Sequence, residues 1–150
     1  MLQLFRAVGR GLPLPLGSVN NRRSLLYVGN AFFAIDRILE SQPEAHAVYL
    51  ISDGEDVSTP GLVRDMARAM GKKPRLWNVP EGPLHAMGRA GDALGRFLPI
   101  PIRSPVIQRL TESLFVDSTF IWRRLKAKPP VSREEGLLAT ARWFNETERT

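Results

Sequence analysis

Cysteine is absent from the 150 residues, which excludes disulfides and thiolate chemistry and agrees with a reducing, cytoplasmic location. Histidine is nearly absent. His46 and His85 stand apart, neither near a second ligand-type residue at metal spacing, so both read as surface or strand-end side chains. Long apolar runs are missing too: each is broken by Arg, Pro or Gly, and none is long enough to span a bilayer. No Asp or Glu precedes Asp36, while Arg6, Arg10, Arg22 and Arg23 do. An Arg-rich, acid-poor start is how a transit peptide reads. Here the stretch from Leu12 to Val28 reads as folded sheet, and no small-residue cleavage site precedes it. Catalytic signatures are also lacking. Gly9 and Gly11 are followed by Leu14 where a Gly-x-Gly-x-x-Gly loop needs its third glycine, and no phosphate-binding Walker loop or Gly-x-Ser-x-Gly elbow occurs. Asp53, Glu55 and Asp56 can be drawn around a magnesium ion, but a turn after a strand explains them better.

What is present describes one domain. A chain of this length buries roughly 70% of its unfolded surface in a single core. The 43% hydrophobic and 24% charged content is ordinary for a globular protein. No repeat, low-complexity tract or linker divides it. The net charge of +6 points to an anionic partner. Basic residues are spread along the chain without interleaved aromatics, so nucleic acid is not the expected partner.

The most informative stretch is Asn20 to Asn30, in which two adjacent arginines stand at the mouth of an apolar strand, Leu25–Val28. A helix opening at Asn30 follows, with the asparagine side chain as its cap. Just upstream, Leu12 to Gly17 is an extended apolar run closed by glycine. Guanidinium donors match phosphate oxygens in pairs, with about 1.5–3 kcal/mol for a charge-assisted bond. The bland alternative is solvated charge beside a strand.

The remaining elements follow from periodicity and caps. Residues 1–11 read as the last turns of a helix. A helix spans Asn30–Ser41, and Ala47–Ser52 is a near-continuous apolar run of the kind buried on both faces of a sheet. Ser58-Thr59-Pro60 opens a helix that runs to Met70 and stops at Gly71. Arg75–Pro80 is a short strand. Gly82–Leu98 is helical despite its glycines, Leu98–Ile102 is a connector, and Ser104–Leu110 a short helix. Ser113–Asp117 is extended, Ser118–Lys126 helical, and Ser132-Arg133-Glu134-Glu135 is a capping box opening a helix to about Glu146.

In that order the chain resembles the C-terminal portion of extended short-chain dehydrogenase/reductases of the NAD-dependent epimerase/dehydratase family, in the branch typified by UDP-glucose 4-epimerase. The likeness rests on Leu14-Pro15-Leu16-Gly17, on Arg23-Ser24-Leu25-Leu26-Tyr27-Val28-Gly29-Asn30, and on Ser52-Asp53-Gly54 before the Ser58-Thr59-Pro60 helix. Asp117-Ser118-Thr119, the double proline and Ser132 to Gly136 complete it. The chain departs from the pattern at Ser24 and Asn30, where many members carry Asp, at Phe120 for a common Lys, and at Lys126-Ala127 for a usual Gly-Trp.

The resemblance implies an α/β fold: the substrate-binding C-terminal part of an extended short-chain dehydrogenase/reductase, short strands with several helices, and an N-terminal Rossmann half absent. It implies that Leu14, Pro15 and Leu16 line a nucleotide base and that Arg23, with Arg109 as the nearest second candidate, holds a diphosphate. The family's NAD loop and Tyr-x-x-x-Lys pair belong to the missing half; Tyr27 and Tyr49 are followed four residues on by Ala31 and Asp53. The expectations are therefore a nucleotide-sugar-binding domain over 1–150 that does not turn over alone, no cofactor bound by this chain alone although the full-length family uses NAD, and no metal. The expected partners are a nucleotide sugar and either a second copy or the missing half, with no membrane. The alternatives are a free-standing diphosphate- or nucleotide-binding module and a basic nucleic-acid-interacting protein.

Overall fold

The computed structural model describes residues 1–41, 46–94 and 104–148. Along these the elements run α1 (Leu2–Gly9), β1 (Arg23–Ser24), α2 (Val28–Glu40), β2 (Asp56–Val57), α3 (Thr59–Ala69), α4 (Glu81–Leu94), α5 (Ser104–Thr111), α6 (Thr119–Arg124) and α7 (Arg133–Thr147). Among the described residues this is an α/β chain of seven helices and one two-stranded sheet, as expected. The contacts divide the chain into two compact units. One comprises Met1–Arg22 and Ser58–Ser113; the other comprises Arg23–Val57 and Leu114–Thr150.

The first unit gathers α1, α3, α4 and α5. Leu16, Val19, Leu84 and Ile107 form one buried cluster, and Val8, Val63 and Ala67 a second. Leu4, Leu14 and Leu76 pack against both. Helix α3 begins as the sequence predicts: Ser58 Oγ accepts from Gly61 N at 3.2 Å, with proline in the first turn. The glycines of α4 have a packing reason at Gly88, where an added Cβ would stand 3.1 Å from the Ser104 backbone. The close approach of α5 offsets the roughly 1 kcal/mol that a helical glycine costs. The end of the predicted Gly82–Leu98 helix and the Leu98–Ile102 connector lie outside the described residues.

In the second unit β1 pairs antiparallel with β2, Arg23 opposite Val57 and Ser24 opposite Asp56. Ala34, Ile121 and Trp122 form its buried cluster, with Phe33, Ile38, Tyr49, Ile51, Leu125 and Ala127 packed around it. The capping box of α7 is complete: Glu135 N donates to Ser132 Oγ and Ser132 N donates to Glu135 Oε2. Gly136 is buried against the Tyr27 ring, 3.0 Å from where its Cβ would be.

Three local expectations are corrected here. The strand is Arg23–Ser24, not Leu25–Val28, and α2 opens at Val28 with Tyr27 as its extended, side-chain-free cap. Asn30 therefore lies inside the helix, fully buried. Its amide donates to Asp53 Oδ1 (2.7 Å) and Val131 O (2.8 Å), and its Oδ1 accepts from Val131 N (3.0 Å). A tertiary clamp takes the groups that a cap would have used locally. Lastly, 47–51 is extended but joins no strand among the described residues: Tyr49 and Ile51 pack on the Ala34 cluster while Val48 is 86% exposed. An unbroken apolar run does not record how many of its faces are covered.

Candidate functional site

In the first unit Leu14–Gly17 runs alongside Arg75–Asn78. Leu14 bridges Leu76 in parallel: Leu14 N donates to Arg75 O (2.8 Å) and Trp77 N donates to Leu14 O (2.9 Å). The next rung is displaced by one residue, Gly17 N donating to Trp77 O at 2.9 Å. Pro15 and Leu16 thus form a bulge facing Trp77. Gly17 is required at this closing rung, because a Cβ there would lie 2.2 Å from Asn78 Oδ1 and 2.9 Å from Trp77 O. Leu14 and Leu16 turn inward to the core, Leu16 being only 2% exposed. A ligand at this strip meets its backbone and the half-buried Pro15 rather than the leucine side chains.

Trp77, 62% exposed opposite the bulge, was not among the residues singled out from sequence. The signal that finds it is alternation: Leu76 inward, its neighbours outward. Asn21 was missed as well. Buried in this unit, its amide donates to Thr59 Oγ1 (3.0 Å), Leu110 O (3.1 Å) and Glu112 O (3.0 Å), while its Oδ1 accepts from Thr59 N (2.8 Å). It ties the start of α3 to the end of α5, where Arg109 occupies the last turn with its side chain at the surface. Arg22 is exposed, and its backbone N–H donates to Ser113 Oγ at 3.0 Å.

Arg23 belongs to the second unit. Its strand has neighbours on both sides, since Arg23 also bridges Leu114, and Ser24 N donates to Leu114 O at 3.0 Å. Ser24 Oγ donates to Asp56 Oδ1 (2.6 Å) and accepts from Val116 N (2.9 Å). The backbone under the half-buried Arg23 is thereby fixed from both edges. The acidic turn serves the same unit: Asp53 Oδ2 accepts from Tyr27 N at 2.9 Å, and Glu55 pairs with Arg133 at 3.3 Å. With Asp56 held by Ser24, each carboxylate of the turn has a protein partner.

An open groove of about 490 Å³ in this unit is lined by Asp117, Thr119, Phe120, Arg123 and Arg124. It contains none of the candidate binding residues named from sequence, although Asp117, Thr119 and Phe120 belong to the stretch compared with the family pattern. Thr119 donates to Asp117 and holds its carboxyl below the ordinary range, so an anion there faces a fixed negative charge.

Among the described residues no helix is long and apolar enough to cross a membrane, and no cluster of three metal-ligating side chains occurs. Gly9 closes a helix and Gly11 adopts φ +65° in the turn after it, so this glycine pair does not join a strand to a helix N-terminus as a pyrophosphate cradle requires.

The sequence relationship fits a C-terminal portion of the NAD-dependent epimerase family. The chain is similar to the UDP-glucose 4-epimerase of Vibrio cholerae, 36% identical over 142 residues that make up 94% of this chain. The match covers 40% of that protein, so the chain spans about two fifths of the relative's length. No protein-family model matches the chain.

Proposed function

We propose that the chain is the nucleotide-sugar-binding portion of an NAD-dependent sugar epimerase or dehydratase, working as one domain over 1–150 and not competent for turnover by itself. The observation that carries this reading is the relationship to a UDP-glucose 4-epimerase along nearly the whole chain. The backbone of Leu14–Leu16, with Pro15 and Trp77, takes the base. Arg23 and Arg109 supply guanidiniums for the diphosphate. The reading that it does not turn over alone is supported by a sequence without a Gly-x-Gly-x-x-Gly loop and by two tyrosines without a lysine four positions on.

Calorimetric titration with UDP and UDP-glucose tests the reading. Losing one charge-assisted contact of about 1.5–3 kcal/mol in Arg23→Ala weakens binding by roughly 10- to 150-fold. Equal affinity in that variant removes Arg23 from the role, and absence of UDP binding in the unaltered chain sinks the whole reading. Supplied with NAD and UDP-galactose, the chain is expected to give no epimerisation above buffer.

A further inference from the structure

Strand β1 is two residues long, and its pairing gives them opposite faces. The register sets Arg23 against Val57 and Ser24 against Asp56, and successive side chains of a strand point to opposite sides. The arginine therefore leaves one face and the serine hydroxyl the other. That hydroxyl is engaged on both flanks. It donates to Asp56 Oδ1 at 2.6 Å, the length of a charge-assisted bond, and accepts from Val116 N at 2.9 Å. Ser24, Asp56 and Val116 are each half-buried, so water competes poorly for these bonds. The anchor is itself fixed. In the turn before Asp56, Asp53 N donates to Leu25 O (2.8 Å) and Asp53 Oδ2 accepts from Tyr27 N (2.9 Å). A hydroxyl carries one proton and an ionised carboxylate none, so the bond needs a donor at 24 and an acceptor at 56.

We propose that Ser24 is a positioning residue for Arg23: its hydroxyl, tied to Asp56 and to the Val116 amide, holds the strand from which the guanidinium reaches a diphosphate. The inference rests on the reading of Arg23 as a diphosphate ligand and names the group that prepares it. A guanidinium gains from a planar fork presented at one angle to two phosphate oxygens. A strand released on either flank moves that fork off its bidentate geometry and adds motion that binding must then freeze. Ser24 acts through the backbone it shares with Arg23, from the opposite face, and so does not itself touch the phosphates.

Calorimetric titration of the full chain with UDP and with uridine tests it, because the ratio of the two affinities reads the grip on the diphosphate. Ser24→Ala is expected to weaken UDP binding about 3- to 10-fold and to leave uridine binding within about twofold. Ser24→Thr, which keeps the hydroxyl, retains the UDP affinity. Ser24→Asp sets a carboxylate against a carboxylate and weakens UDP at least as much as Ser24→Ala. Adding Asp56→Asn, whose amide donates, recovers most of that loss. In an Arg23→Ala chain, Ser24→Ala weakens UDP no further, since no guanidinium is left to position. A purely structural serine would weaken both ligands, with or without Arg23. Unchanged UDP affinity in Ser24→Ala beside a loss in Arg23→Ala overturns the positioning role and leaves Arg23 a ligand. A further loss in the double variant, or no recovery with Asp56→Asn, overturns it too. Equal UDP affinity in Arg23→Ala, or no UDP binding by the unaltered chain, overturns the reading of Arg23 and the positioning role with it. If Ser24→Ala does not fold, Ser24→Thr against Ser24→Asp with and without Asp56→Asn decides by the same ratio.

Discussion

Asn21→Ala is the sharpest probe of how the first unit is held together. The change leaves the Leu110 carbonyl with a donor, since Thr59 Oγ1 still reaches it at 2.7 Å. The Glu112 carbonyl belongs to an exposed residue and can turn to water. The loss falls on Thr59 N, whose residue is 1% exposed and whose acceptor, Asn21 Oδ1 at 2.8 Å, disappears. A buried unsatisfied donor costs about 1–3 kcal/mol, and the small void left by the amide brings the total to about 2–4 kcal/mol. That is a large share of the 5–15 kcal/mol typical of a folded domain. With an m-value of about 2 kcal/mol/M, the urea midpoint falls by roughly 1–2 M. Asn21→Asp keeps the acceptor for Thr59 N but turns a buried carboxylate toward two carbonyl oxygens, so it is expected to be at least as damaging. Unfolding followed by far-UV circular dichroism measures the shift, and a change below about 0.3 M refutes this account of the hub. Fluorescence of Trp122, buried in the second unit, adds a second readout in a chain whose Trp77 and Trp143 are replaced by Phe. If 1–150 is one co-operative domain as proposed, its transition moves with the helical signal; if it stays put, the units unfold separately.

Two further expectations concern the strip and the last helix. Gly17→Ala forces a Cβ to within 2.9 Å of the Trp77 carbonyl, and the backbone shift should cost about 1–3 kcal/mol. Adding Asn78→Ala, which removes the nearer clash, is expected to leave most of that loss in a urea titration, and full recovery would contradict the bulge geometry. Ser132 donates to Glu135 and holds its carboxyl below the ordinary value. A group depressed in the folded state stabilises at and above the ordinary carboxylate range and loses that contribution as pH falls through its lowered value. The protection of first-turn amides of α7, measured as exchange relative to the intrinsic rate at each pH, should therefore fall on acidification through that window. A Glu135→Gln chain with the same pH profile would show that the carboxylate is not responsible.

The residues themselves determined the helix boundaries that depend on near neighbours. Ser58-Thr59-Pro60 and Ser132 to Glu135 form their caps with partners three positions away, so the sequence holds the whole interaction. The relationship to the epimerase family was legible in the same way, through the order of such local signals. Tertiary structure alone decided the rest. Asn30 serves as a cap or as a buried clamp depending on whether a remote carboxylate and carbonyl arrive, and Asp53 and Val131 do. The 47–51 run is apolar whether one face or two are covered, and only the packing of Tyr49 and Ile51 reveals which. Leu16, expected to line a base, was decided by tertiary structure as well. The pairing of Leu14 with Leu76, fixed by hydrogen bonds between segments some sixty residues apart in sequence, sets this segment against the core with Leu16 2% exposed, and leaves Trp77, the outward neighbour of Leu76, 62% exposed.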